Sequence, residues 1–156
     1  MTQELKIRIN NLAEIENRLK ELGAIFVKEE PFVDTYFIQP PGSVLKIVTA
    51  EHSSNLITLE SKDGKFRVIN KTFIDNVERE KAELSSEFGI KSVLQGKRMY
   101  FELEDLKITI NLIDEIGEFL ILTGENPTEE FITEKLGIKN PEFIKVSFDE
   151  LKKIDH

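Results

Sequence analysis

The stretch TQELKIRIN alternates Glu4, Lys6 and Arg8 with Leu5, Ile7 and Ile9, so a strand through it carries its charges on one face and its aliphatic side chains on the other. The same period of two returns through much of the chain. VLKIV sets Lys46 against Leu45 and Ile47, LITLESK sets Thr58, Glu60 and Lys62 against Ile57 and Leu59, and FRVINKTF gives Arg67 and Lys71 a common face. GKRMYFEL with Lys97, DLKITINLI with Lys107, Thr109 and Asn111, and EFLILTGE running into Gly124 continue the pattern. A chain that repeats one aliphatic and one charged, mostly cationic face has two solutions. One is an antiparallel sheet wetted on one side, and the other is a barrel closed around a polar lumen. Periodicity alone does not choose between them.

Four helices are expected between these segments. Leu12, Ile15, Leu19 and Leu22 follow one helical face, with an Asn before the run and Gly23 as its stop. A second helix begins after Asp75, turns Val77, Leu84 and Phe88 inward and ends at Gly89. A third takes Asn126 as cap with Pro127 in its first turn and ends at Gly137. In SFDELKKI, Ser147 and Glu150 stand at capping-box spacing and predict a short closing helix.

At 156 residues, 40% of them hydrophobic, the chain suits one domain over residues 1–156 with a core of its own. No apolar run is long enough to span a bilayer and no basic-then-apolar leader opens the sequence, so the expectation is a cytoplasmic protein with no membrane partner. Without cysteine there is no disulfide, cysteine zinc site or thiol catalysis, and His52 and His156 are too few for histidine-centred chemistry. Any metal would be a hard cation on oxygens. A net charge of -8 argues against a nucleic-acid partner. The acids concentrate in the helical segments, however, and the strands are the more basic part, which suits a small anionic ligand held among strands. There is no Gly-rich phosphate loop, so recognition of such an anion would rest on side chains. A homodimer is compatible with all of this.

The order of the segments carries a further likeness. TQELKIR places Thr2, Glu4, Lys6 and Arg8 in the first strand, and Leu22, Gly23 and Ala24 follow the first helix. VDTYF then holds Asp34, Tyr36 and Phe37, and VLKI, LITLESKDG, GKRMYF, IDEIGEFLIL and SFDEL come in that order. Nearly end to end this resembles the CYTH family, which includes class IV adenylyl cyclases and thiamine triphosphatases and belongs to the triphosphate tunnel metalloenzymes. Its members open on a Glu-x-Glu-x-Lys strand and continue with a Leu-Gly-Ala turn and an Asp-x-Tyr-Phe motif. Leu-Arg-Ile-Arg, Leu-Thr-x-Lys, Lys-x-Arg-x-x-Tyr and Leu-Gly-x-Phe-x-Glu-x-Glu strands follow, then a closing Ser-Tyr-x-x-Leu helix.

The resemblance implies an α+β fold: a closed antiparallel barrel of about eight strands around a tunnel, with helices packed outside and Leu5, Ile7 and Ile9 beneath them. It implies that Lys6, Arg8, Lys46, Lys62, Arg67 and Lys97 bind phosphate, with Glu4, Lys6, Arg8, Lys46, Arg67 and Lys97 all facing the lumen. It implies Mg or Mn as cofactor, held by glutamates. Here the sequence departs from the family. Thr2 replaces the first glutamate, Ile121 and Thr123 stand where Glu-x-Glu is expected, Ile69 and Lys71 replace two more acids, and Asn111 replaces an aspartate. Glu4 and Glu60 remain as metal ligands, with Glu125 a further candidate. The cations have mostly survived and the carboxylates have not.

The resulting expectation is a protein that binds a triphosphate or other phosphorylated small molecule, such as a nucleoside triphosphate, thiamine triphosphate or polyphosphate, with metal-dependent catalysis reduced or lost. The alternative is an active divergent class IV adenylyl cyclase or a thiamine or inorganic triphosphatase using Mg or Mn. Tyr36, Phe37, Tyr100 and Phe101 read as core and wall aromatics. Asp114, Glu115 and Glu118 read as a solvated turn, Glu29, Glu30 and Pro31 as a polar lead-in to a strand, and Pro40, Pro41 and Gly42 as a loop near the tunnel mouth.

Overall fold

The period-two segments all form strands. In the computed structural model, which describes residues 2–154, these are β1 (Gln3–Arg8), β2 (Ile25–Phe37), β3 (Ser43–Ala50), β4 (Ser54–Lys62), β5 (Lys65–Phe73), β6 (Ile90–Leu103), β7 (Leu106–Ile113) and β8 (Gly117–Gly124). They pair in the order β5-β4-β3-β2-β6-β7-β8-β1. The start of β1 then returns to β5 through Gln3 opposite Arg67 and Glu4 opposite Phe66, which closes an antiparallel barrel. A short β9 (Glu142–Phe143) lies outside the barrel and pairs with the other end of β1, at Ile7 and Arg8. The fold is therefore α+β with a closed eight-stranded barrel, as the resemblance implied.

Helices cover part of the outside. α1 (Leu12–Glu21) is capped by the Asn11 side chain, which accepts a hydrogen bond from the Glu14 backbone N–H. Ile15 and Leu19 of α1 pack with Leu5, Ile7, Ile9, Ile108, Ile110, Leu120 and Leu122, so the aliphatic faces of β1, β7 and β8 are buried beneath it. α2 (Val77–Phe88) is capped in the same way by Asn76 and lays Val77 and Leu84 over Phe37, Leu45 and Ile47 of β2 and β3. Removing an Asn cap exposes an orphan N–H, so Asn11→Ala is expected to cost about 1 kcal/mol in chemical denaturation.

The expected third helix begins later than Asn126. Thr128 Oγ accepts from the Phe131 N–H, and the segment Phe131–Lys135 is π-helical. Asn126 and Pro127 precede it in irregular backbone. The closing helix is α3 (Phe148–Ile154). Glu29, Glu30 and Pro31, expected as a lead-in, lie within the long strand β2. No described helix is long and apolar enough to cross a membrane. His156 lies outside the described residues.

Candidate functional site

Alternation along each strand decides which side chains enter the barrel. From β1 these are Glu4 and Lys6, from β3 Lys46 and Val48, from β6 Arg98 and Tyr100, and from β7 Lys107, Thr109 and Asn111. At the end marked by Thr2, Ala50, Glu102 and Thr123 the lumen opens as a cavity of about 590 Å³. The other end is filled. Phe32, Phe66, Phe119 and Leu59 pack there with Phe148 and Leu151 of α3, so the lumen is a blind cup above an apolar plug and not a passage from end to end. Pro40, Pro41 and Gly42, expected at the mouth, lie near the plugged end beside Lys91 and Ser147.

An ionic cluster separates cup from plug. Asp34 on β2 is fully buried and receives both arms of the Arg98 guanidinium, Nη1 to Oδ1 at 3.1 Å and Nη2 to Oδ2 at 2.6 Å. Lys46 Nζ reaches Oδ2 at 3.4 Å. Arg98 Nε donates to Asn111 Oδ1 at 2.6 Å, and the guanidinium lies 3.8 Å from the Phe32 ring centre. Burial alone would raise the Asp34 pKa, but the charges of Arg98 and Lys46 and their hydrogen bonds overcome it and hold the carboxyl below its usual range. For Arg98, burial works against the charge and Asp34 outweighs it, so its pKa is raised.

Beneath this cluster, Lys6 Nζ sits 3.9 Å from the centre of the Phe66 ring and 4.4 Å from that of Phe148. Burial pulls its pKa down to about 8, with Glu4 opposing and Lys46 and Arg98 adding to the fall. The Tyr36 hydroxyl is buried without a hydrogen-bond partner among the described residues, and burial, followed by Asp34, raises its pKa. At the plugged end Asp149 is held by Lys91 at 2.9 Å and by the Ser147 hydroxyl, and Lys91 also contacts Glu150.

Of the six cations expected to bind phosphate, Lys46 alone lines the cup. Lys6 enters the barrel but is sealed under the floor. Arg8 lies at the plugged end, where Nε donates to Glu142 at 2.9 Å and the guanidinium stands 4.9 Å from the Phe119 ring centre. Lys97 is on the outer face, 63% exposed and 3.9 Å from Glu29, while its neighbour Arg98 points in. Arg67 and Lys62 are also outside, because Phe66 and Val68 take the inward places on β5, and Leu59 and Ile57 take them on β4. Glu60, opposite Arg67 in register, shares that outer face and so cannot join Glu4.

Arg67 and Lys71, expected on one face, are on opposite ones. Thr58 pairs with Asn70 but Leu59 pairs with Val68, which leaves Ile69 as an extra residue and inverts the phase of β5. Lys71 thereby reaches the cup. Glu30 is inside as well, 3.3 Å from Lys28.

The carboxylates do not suit a hard divalent ion, which needs several oxygens converging on one point. Among the described residues no three acidic or histidine side chains come together in that way. Asp34 is taken by Arg98 and Lys46, Glu30 by Lys28, and Glu4 stands across from Thr123.

No family model and no curated protein matches the sequence. Solved structures do. The PH1012 protein of Pyrococcus horikoshii superposes with a TM-score of 0.83 at 22% identity, covering 97% of this chain and 99% of its own. A candidate adenylate cyclase of Vibrio parahaemolyticus gives 0.79 at 15% identity over 97% of each chain. HpAC1 of Hippeastrum, a candidate adenylyl cyclase described as having a dominant triphosphatase activity, gives 0.64 at 15% identity over 98% of this chain and 96% of its own. At such identities the likeness establishes the fold.

Proposed function

We propose that the chain is a CYTH-type barrel that binds the phosphate group of a small molecule in the open cup, with Lys46, Lys71 and Arg98 as its cations and without a catalytic divalent metal. Triphosphates of the kinds handled by relatives of this fold fall within that reading, as do other phosphorylated metabolites of the cytoplasm. The observation that carries it is the cluster at the cup floor. Asp34 fixes Arg98 by two hydrogen bonds and Lys46 by one, so prepositioned cations underlie a cavity in a protein of net charge -8. Charge-assisted contacts from prepositioned donors favour anion binding. Phosphoryl transfer needs in addition a metal or other cation to neutralise charge on the transferring group, and among the described residues no three carboxylates converge to hold a metal.

Inorganic phosphate, tripolyphosphate, ATP and thiamine triphosphate, each with and without Mg²⁺ or Mn²⁺, test the reading in two assays. Binding is expected to raise the melting temperature, more at low salt than at high and equally with or without metal. Lys46→Met should weaken it about tenfold, the loss of one charge-assisted contact. Robust metal-dependent turnover of any triphosphate would establish the enzymatic alternative instead. No shift with any of the four would remove the phosphate reading.

A further inference from the structure

Resting on the phosphate-binding reading, we infer that the ligand of the cup is a phosphomonoester with an apolar body, and not a polyphosphate. Two observations lead there. The first is the charge the cup has to offer. Five cations line it, Lys28, Lys46, Lys71, Arg98 and Lys107, against three carboxylates, Glu4, Glu30 and Glu102; five against three leaves two. Most of the five are engaged. Lys28 is paired with Glu30 at 3.3 Å, Arg98 is forked onto Asp34, and Lys107 stands directly across from Glu102 in the β6–β7 register. Lys46 gives one contact to Asp34, and no ion pair or hydrogen bond of Lys71 is found among the described residues. Counting Asp34 in the floor and Lys6 beneath it adds one charge of each sign and leaves the surplus at two. A single phosphate, at roughly −1.5 to −2, matches this surplus, and a triphosphate exceeds it.

The second observation is the unequal wall. On the β6–β7 side the cup presents Arg98, Tyr100, Thr109 and Asn111. Facing it, Val48 and Ala50 of β3, Ile57 of β4 and Val68 of β5 form an aliphatic strip interleaved with Lys46, Asn55 and Lys71. The register places Ile57 between Lys46 on one side and Lys71 on the other. A phosphate spanning those two lysines therefore lies against Ile57, with Val48 and Ala50 further toward the mouth and Val68 toward the floor. Inorganic polyphosphate would gain nothing from that strip. An alkyl or aryl group esterified to the phosphate would cover it, and a cup of about 590 Å³ has the size of an ordinary small-molecule site.

The test compares ligands of equal head and growing tail by calorimetry: inorganic phosphate, then methyl, butyl and hexyl phosphate, with tripolyphosphate and hexanoate alongside. Affinity is expected to rise about fourfold for each methylene that enters the cup, and hexyl phosphate should bind more tightly than either tripolyphosphate or hexanoate. Ile57→Asn should flatten the dependence on tail length, so that the ratio of hexyl phosphate to inorganic phosphate affinity falls several-fold from its wild-type value. Tripolyphosphate binding most tightly, with no gain from a tail, would overturn the inference and leave phosphate binding intact. Hexanoate equalling hexyl phosphate would overturn the choice of a phosphate head. If none of these anions bound, this inference and the phosphate reading would both fall.

Discussion

Replacing Asp34 by alanine is expected to destabilise the protein by about 3–5 kcal/mol, the usual loss when one partner of a buried ion pair is removed and the other stays. Asp34 is fully buried and accepts both arms of Arg98 and a contact from Lys46. Without it two cations remain at the cup floor above a third, Lys6, that already feels both of them. Asp34→Asn keeps the shape and one acceptor and should lose less. Urea unfolding with an unchanged slope would report the difference as stability and not as a change in the unfolded chain. The pH dependence has a definite sign. The Asp34 carboxyl titrates lower in the folded than in the unfolded protein, so its contribution is complete above the unfolded value of about 3.9 and is lost only as pH falls through the lower folded one. The gap between wild type and Asp34→Ala should hold constant from neutrality to about pH 4 and close below that. A loss below about 1 kcal/mol would mean that Arg98 and Lys46 find water, and the floor would then be softer than its geometry.

Strands were legible in the sequence where the faces were not, and the reason lies outside each strand. In β3 the aliphatic Leu45 and Ile47 face out because α2 covers them, and Lys46 faces in. In β4 the same alternation takes the opposite sense. Thr58, Glu60 and Lys62 face outward, and Ile57 and Leu59 fill the barrel. Which face of an amphipathic strand is inside depends on what covers the other, and that is a tertiary fact. Lys97 is a different case, because a signal was present. It shares its phase with Met99 and Phe101, both apolar and both in the cluster under α1, whereas Arg98 shares its phase with Tyr100 and Glu102. Arg67 and Lys71 were misplaced relative to each other by the single extra residue at Ile69, and a bulge leaves no mark in a run of alternating residues. The contact of Lys6 with Phe66 depends on closure between β1 and β5, strands some sixty residues apart in the chain, for which the order of family motifs was the only guide.

Lys6→Met is expected to stabilise the protein at neutral pH by about 2 kcal/mol, an unusual sign for a substitution inside a barrel. The Lys6 ammonium is buried among Phe66, Phe148 and the cations of the cup floor, and its pKa falls from 10.5 to about 8. A depression of that size corresponds to roughly 3 kcal/mol of preference for the neutral amine. Below pH 8 both the folded and unfolded chains carry the charge, so the folded state bears the whole cost. Methionine has a similar length and its sulfur also packs well on aromatic rings, so most of the cost is recovered while the loss of the ammonium–ring attraction takes back a part. For a chain of this size the gain amounts to a rise of about 5 °C in melting temperature. The pH dependence separates this account from simple better packing. Between pH 8 and 10.5 the folded wild type has lost its proton while the unfolded chain still holds one, so wild-type stability rises with pH and the advantage of the variant shrinks. A variant less stable than wild type at pH 7 would mean that Glu4 or Asp149, the two acids that favour the charge on Lys6, compensates it fully. An advantage that did not change with pH would show that packing, and not the buried charge, set the difference.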